Sequence, residues 1–239
     1  MTADPLLLVA EVDRAIARLL ETARRLDERE LAGPSLLPGW TRGHVLAHVA
    51  RNADGCVNLL TWARTGVETP QYANAAQRAA DVAAGAGRPL AEQLADISAS
   101  AQRFLDAVAQ MPAAGWVVEV RWLSGTTGPA AGVVWSRLRE VEVHHVDLDA
   151  GYGPTAWSEA FCHRLLHELA AGFGAAPDGP RVRLHATDLG HEVTIGGDDD
   201  VPTVRGSGAA LAAWLTGRSA GADLTVTPDG PLPPVPTWK

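Results

Sequence analysis

Leu8, Val12, Ile16, Leu19, Leu20 and Ala23 recur at three- and four-residue intervals, with Glu and Arg between them. That period predicts an amphipathic helix over residues 4–31. The stretch "GPSLLPGW" then breaks the pattern with Gly33, Pro34, Pro38 and Gly39. Thr41 stands as the N-cap of a second helix over residues 42–63, whose apolar members include Val45, Leu46, Val49, Leu59 and Leu60. "TGVETPQYANAAQ" reads as a connecting loop, and "PLAEQLADISASAQRFLDAVAQM" (89–111) as a third amphipathic helix. "GWVVEVRWLSGTTGPA" is apolar, then Gly-rich, and predicts an extended excursion. "AGVVWSRLREVEVHHVDLDA" (131–150) is the fourth helix. Four long helices with one long crossover predict a bundle.

After "GYGP" the period changes. "AWSEAFCHRLLHELAAGF" is helical, whereas "RVRLHATD", "HEVTI" and "TVRG" are short β-like runs between Gly and Asp clusters. "SGAALAAWLTGR" is a helix with Ser207 near its start, "ADLTVTP" a last strand, and "PDGPLPPVPTWK" an extended tail. The predicted fold class is α+β, with a helical bundle over residues 1–153 and a small α+β domain over residues 154–239.

Composition narrows the partners. The chain of 239 residues is long enough for one large core or two small ones, and 46% hydrophobic residues is ordinary for a globular protein. A formal net charge of −8 without a basic block argues against a nucleic-acid surface or an anionic-membrane surface. Cys56 and Cys162, the two cysteines, make neither a disulfide framework nor an all-thiolate zinc site. No signal-peptide pattern opens the chain, and no apolar run is long enough for a membrane span, so the expected compartment is the cytoplasm. The expected state is a monomer or small homo-oligomer that acts on small molecules.

The segment "RLREVEVHHVDLDAGY" (137–152) then stands out. It places two glutamates, two histidines and two aspartates between Glu140 and Asp149, interleaved with Val141, Val143, Val146 and Leu148. Two readings compete, a solvated helix face and a set of metal ligands. Residues four apart share a helix face, so Glu140 and His144 can present a carboxylate and an imidazole to one ion, while Glu142 and His145 point elsewhere. Zinc accepts both ligand types, and a third ligand must come from a facing helix. In "TRGHVLAHVARNADG" His44 and His48 are also four apart, and either fits, as does the reading that both are packed histidines. His145 and Asp147 are either partners that orient a ligand or a solvated helix end. Trp40, Trp62 and Trp135 read as core, and Cys56 as a buried helix residue.

"LLPGWTRGHVLAHVARNADGCVNLLTWARTGVETPQY" resembles the N-terminal signature of the mycothiol-dependent maleylpyruvate isomerases, "REVEVHHVDL" their second metal motif, and "LTGRSAGADLTV" and "PPVPTW" their C-terminal end. The resemblance implies a DinB-like metal-binding four-helix bundle followed by a small α+β domain. It implies His48, Glu140 and His144 as metal ligands and Arg218 as a catalytic residue of the second domain; without it, Arg218 reads as a cation at a helix C-terminus. Arg78 also matches an arginine of the pattern, without a role. The implied activity is a zinc- and mycothiol-dependent cis–trans isomerisation of maleylpyruvate to fumarylpyruvate in gentisate breakdown, with a dicarboxylate substrate and a low-molecular-weight thiol as partners. A mycothiol S-transferase acting on another electrophile and a non-catalytic metal or small-molecule binding protein are the alternatives.

Overall fold

Asp4 accepts a hydrogen bond from the backbone of Leu6, and Pro5 sits at the first helical position; both start the helix α1 (Pro5–Ala23). The structure, a computed structural model, describes residues 4–197 and 200–238. It divides into two compact units, Met1–Tyr152 and Gly153–Lys239. The single helix predicted over 4–31 is two. After α1 the chain turns, and Asp27 caps a one-turn helix α2 (Glu28–Leu31) through a capping box with Glu30. Asp27 and Glu30 satisfy each other's backbone groups locally, which favours a new start over continuation.

The remaining elements of the first unit are α3 (Arg42–Thr65), α4 (Ala75–Ala86), α5 (Leu90–Ala109), the antiparallel hairpin β1 (Glu119–Arg121) and β2 (Thr127–Pro129), and α6 (Gly132–Asp147). The long helices α1, α3, α5 and α6 pack as the expected bundle, with Val12, Leu19, Val45, Leu46, Val49, Leu59, Ile97, Phe104, Val133, Val134 and Val141 in its core. α4 was not foreseen. Its sequence, "AAQRAADVAAGA", is so alanine-rich that it buries little beyond Val82 and Gly85. Alanine favours a helix by propensity, but an apolar face of alanine offers few large apolar residues to mark its period. Small residues instead let it lie close against α3: a Cβ on Gly43 would strike the Ala86 carbonyl oxygen, and one on Gly85 would come within 2.8 Å of the Ala47 Cβ.

The start of α3 is tied to the end of α6. Thr41 is the N-cap, as its hydroxyl position predicts, and forms a capping box with His44. Arg42 donates from Nε to the Leu148 carbonyl at 2.8 Å and from Nη2 to the Asp149 carbonyl at 2.9 Å, while the Leu36 amide donates to the Asp147 carbonyl at 2.9 Å. These bonds satisfy carbonyls that the end of α6 leaves without helical donors.

In the second unit Ser158 caps α7 (Glu159–Ala175). A sheet follows, built from β3 (Val182–Ala186), β4 (His191–Ile195), β5 (Thr203–Gly206) and β6 (Thr225–Thr227) in the order β4-β3-β5-β6. β3 and β5 run parallel; the other pairs are antiparallel. Between β5 and β6 lies α8 (Gly208–Leu215), capped by Ser207. α7 packs on β4 and α8, burying Leu165, Leu166 and Leu169 with Leu184, Val204 and Leu211. Among the described residues no helix is long and apolar enough to cross a membrane.

The ionisable run of α6 is not a solvated face. Arg137, Glu142, His145 and Asp147 are all buried. Each has partners: Arg137 donates to the Val49 carbonyl at 2.7 Å and to Asn52 at 2.9 Å, and Glu142 takes an ion pair from Arg18 at 2.6 Å and a hydrogen bond from the Tyr152 hydroxyl. His145 meets the Thr22 hydroxyl at 2.9 Å and stacks on Tyr152 with ring centroids 3.6 Å apart. Burial, then the positive charges of Arg18 and Arg25, push the His145 pKa down to about 3. An unfolded chain binds a proton there near the ordinary value of about 6.5, so between about pH 6.5 and pH 3 the unfolded state holds more protons and stability rises with pH. We expect the His145 contribution to be intact above about pH 6.5 and to fall by about 1–2 kcal/mol on going from pH 7 to pH 5. Urea unfolding of wild type and His145→Gln at both pH values checks this: the variant should lose less stability than wild type over that interval, and equal losses would refute it.

Candidate metal centre

α3 and α6 face each other across the bundle, and their facing side chains meet at one point. His48, four residues into the run opened by His44, is 1% exposed. Its Nε2 lies 3.1 Å from Glu140 Oε2 and 3.0 Å from His144 Nε2, and His144 Nε2 lies 3.4 Å from Glu140 Oε2. The Glu140–His144 spacing of one helical turn delivers the carboxylate and the imidazole together, as their four-residue separation requires.

The surroundings fix each ring. His144 Nδ1 is 2.8 Å from Asp147 Oδ2, a carboxylate that is itself buried. That bond keeps the proton on Nδ1 and turns the Nε2 lone pair toward the centre. His48 is wedged edge-on to Trp40, with ring centroids 5.6 Å apart, and to His144 at 4.5 Å. Its Nδ1 is 3.2 Å from an Arg78 guanidinium nitrogen, and Arg78 also lies over the Tyr72 ring, 5.7 Å from its centroid. Arg139 approaches the other Glu140 oxygen at 3.6 Å.

Electrostatics follow from this packing. Burial, reinforced by the charge of His144, pushes the His48 pKa down to about 4. Burial works to raise the Glu140 pKa, yet hydrogen bonds from His144 and His48 and their charges hold it well below the ordinary carboxylate value. Burial likewise works to lower the His144 pKa, but the hydrogen bonds to Asp147 and Glu140 raise it. The centre therefore holds a carboxylate anion beside two imidazoles, one of them strongly biased to the neutral form, which is a donor set for a borderline divalent cation.

The candidates sort clearly. His48, Glu140 and His144 converge, each offering a ligand atom within 4.8 Å of the others. His44 does not join them; its Nδ1 is engaged by the Thr41 amide at 3.2 Å and hydroxyl at 2.8 Å as part of the cap. Of the two residues left open at the end of α6, Asp147 orients the His144 ring, and His145 packs between Thr22 and Tyr152. Glu142 points away, toward Arg18 and Tyr152. Trp135 is core, Trp62 is half-buried, and Trp40 is half-buried against His48 rather than core alone. Cys56 is buried, and burial pushes its thiol up to about 12, so it is inert. Arg78 had no role in the sequence; the unforeseen α4 carries it to His48. Arg218 belongs to the second unit, just past α8, where Nη1 donates to the Thr216 carbonyl at 2.6 Å and the guanidinium lies 5.5 Å from the centroid of Trp238.

Comparison with curated protein sequences finds no match. Two crystal structures do match over nearly the whole chain. One, of a histidine-to-alanine mutant of the mycothiol-dependent maleylpyruvate isomerase, is 27% identical with a TM-score of 0.91 and covers 99% of this chain and 98% of its own. The other, of the mycothiol-dependent maleylpyruvate isomerase itself, is 28% identical with a TM-score of 0.89 and the same coverage. Residues 12–149 match the mycothiol maleylpyruvate isomerase N-terminal domain, and residues 156–237 match the C-terminal domain of the same family. With both family domains present in order and a shared fold along the full chain, the protein belongs to the mycothiol maleylpyruvate isomerase family.

Proposed function

We propose that the protein is a divalent-metal- and mycothiol-dependent isomerase that converts maleylpyruvate to fumarylpyruvate, with His48, Glu140 and His144 as the ligands of a zinc ion. The observation that carries this reading is the full-length likeness to the mycothiol-dependent maleylpyruvate isomerase. The geometry supports it. Donors about 2.0–2.1 Å from a tetrahedral zinc lie about 3.3 Å from one another, and the three separations here are 3.0, 3.1 and 3.4 Å. Three protein ligands leave an open coordination position, the arrangement of catalytic rather than structural zinc.

A metal held by His48, Glu140 and His144 would stabilise the thiolate form of a bound thiol, the nucleophile that a reversible addition to the activated cis double bond would need. The chain's own residues prepare for that. Glu140 brings one negative charge to offset the dication. Asp147 holds His144 in the tautomer that ligates through Nε2. Trp40 holds the His48 ring in place. His48 Nδ1 accepts from Arg78 only while Nε2 carries the ring proton, so ligation through Nε2 requires Arg78 to give up that contact. The substrate is a dicarboxylate, and in a chain of net charge −8 a cation must hold it. We assign that role to Arg218, whose fork geometry matches a carboxylate, and place the enzyme in the cytoplasm with gentisate breakdown as its pathway.

The direct test follows maleylpyruvate absorbance with and without mycothiol. Turnover should need the thiol, and total free thiol should be unchanged afterwards; stoichiometric loss of thiol would mark an S-transferase, and no thiol-dependent turnover would mark a binding protein. Two sets of variants test the residues. Elemental analysis should show the metal that depends on the centre lost in His48→Ala and kept in His44→Ala, and Asp147→Asn should weaken metal affinity about 10–100-fold; equal loading of the two histidine variants would overturn the ligand assignment. Arg218→Ala should keep its metal content and melting temperature yet lose about 2–5 kcal/mol of transition-state stabilisation, roughly 30-fold to several thousand-fold in rate. A residue that only caps α8 through the Thr216 carbonyl would instead cost about 0.3–1 kcal/mol of stability and leave the rate alone. Steady-state kinetics beside a thermal melt separates the two outcomes.

A further inference from the structure

A second histidine cluster lies wholly within the C-terminal unit. His163 and His167 are four residues apart on α7, so both project from one face of that helix. His191 opens β4, an edge strand of the sheet, directly opposite Ala186 of β3. α7 packs against β4, which brings the three rings together. Their centroids are 4.7 Å apart for His163 and His167, 4.5 Å for His163 and His191, and 4.6 Å for His167 and His191. One ring nitrogen from each falls within 4.8 Å of the others.

Packing alone does not account for this arrangement. The cluster is partly exposed, and the three rings meet in a triangle without a carboxylate among the ligand atoms. The Nε2 of His191 is buried and makes no hydrogen bond. An imidazole nitrogen out of water without a partner costs free energy, and a buried polar atom of this kind calls for a ligand. Burial first, and the neighbouring rings second, shift the pKa of His167 and His191 downward. His167 and His191 are thereby biased toward the neutral form, which is also the form that binds metal.

We propose that His163, His167 and His191 form a second metal site, independent of the centre in the bundle, which binds one late first-row divalent cation through three imidazoles. The class of ion follows from the donors. Three neutral nitrogens suit Zn²⁺, Ni²⁺, Co²⁺ and Cu²⁺, whereas Mg²⁺ and Ca²⁺ require oxygen ligands. The ligand nitrogens already lie within 4.8 Å of one another, against the spacing of about 3.3 Å that a tetrahedral zinc would impose. Solvent or a small ligand completes the coordination. Bound there, the ion ties the edge strand β4 to α7. The signal was present in the sequence as the spacing of "HRLLH", but the third ligand comes from a strand 24 residues after His167 (191 − 167), which no local pattern reveals.

The test is calorimetric titration of Zn²⁺ into the full-length protein after chelation, with Mg²⁺ as the control. Wild type should take up one more equivalent of Zn²⁺ than His167→Ala or His167→Gln, and the His48→Ala/His144→Ala protein should still bind one. Adding His167→Ala to that double variant should abolish uptake. His167 is exposed on its helix, and the Gln variant keeps a polar side chain of similar size, so both variants should fold, which circular dichroism checks. Long-range proton–nitrogen spectra should show the rings of His163, His167 and His191 shifting together with the added metal. The proposal is overturned if His167→Ala and His167→Gln bind as much Zn²⁺ as wild type, or if the double variant binds none. These outcomes do not depend on whether the bundle centre is loaded: should that centre bind nothing, wild type binds one equivalent and the His167 variants bind none.

Discussion

Ionisable side chains can be buried between two helices only if each finds a partner, and this constraint organises the N-terminal unit. An isolated buried charge is costly, so it must be neutralised, paired or ligated. Along α6 the chain pairs or neutralises these groups in successive turns. Arg137 is held by a carbonyl and an amide of α3, Glu142 by Arg18 and Tyr152, and His145 is kept neutral against Thr22 and Tyr152. Glu140 and His144 are left to face His48, with Asp147 behind. The polar groups that fix the register of α6 against α1 and α3 thus also hold the candidate ligands in place. Shifting α6 by one residue would point a different set at α3 and leave several buried groups without partners.

The bonds from Arg42 and the loop before α3 serve the same end. They anchor the first turn of α3 to the last turn of α6, close in sequence to His48 and His144. Preorganisation of this kind lowers the cost of binding an ion, because the ligands need little further ordering. The Arg78 contact works in the other direction. It stabilises a ring tautomer that ligation through Nε2 would have to abandon, so affinity for an ion at this centre would reflect the balance between the two.

Much of this was legible in the sequence where chemistry and period coincide. The four bundle helices followed from apolar spacing, the cap at Thr41 from its hydroxyl before a helical run, and the pairing of Glu140 with His144 from a separation of one turn. The choice of His48 over His44 was not a matter of spacing. It came from the resemblance; in the structure His44 is engaged in the cap, while His48 is buried opposite α6. What the sequence hid has two causes. The apolar face of α4 is almost entirely alanine, so the element that delivers Arg78 lacked the large apolar residues that mark a helix in sequence. The burial of Glu142, His145 and Asp147 depends on partners up to 124 residues away in sequence, and a local pattern of alternating charge and valine looks the same whether or not such partners exist.

The central claim is that His48, Glu140 and His144 hold a metal ion to which a thiol binds directly. Cobalt substitution tests it most directly, because a thiolate bound to Co²⁺ produces a charge-transfer absorption that free thiol does not. The account predicts that mycothiol added to the cobalt-loaded His167→Ala protein produces this band, and that the further change Glu140→Gln or His48→Ala removes it. A cobalt-loaded protein whose spectrum does not respond to mycothiol, or a band that survives both ligand changes, would contradict it.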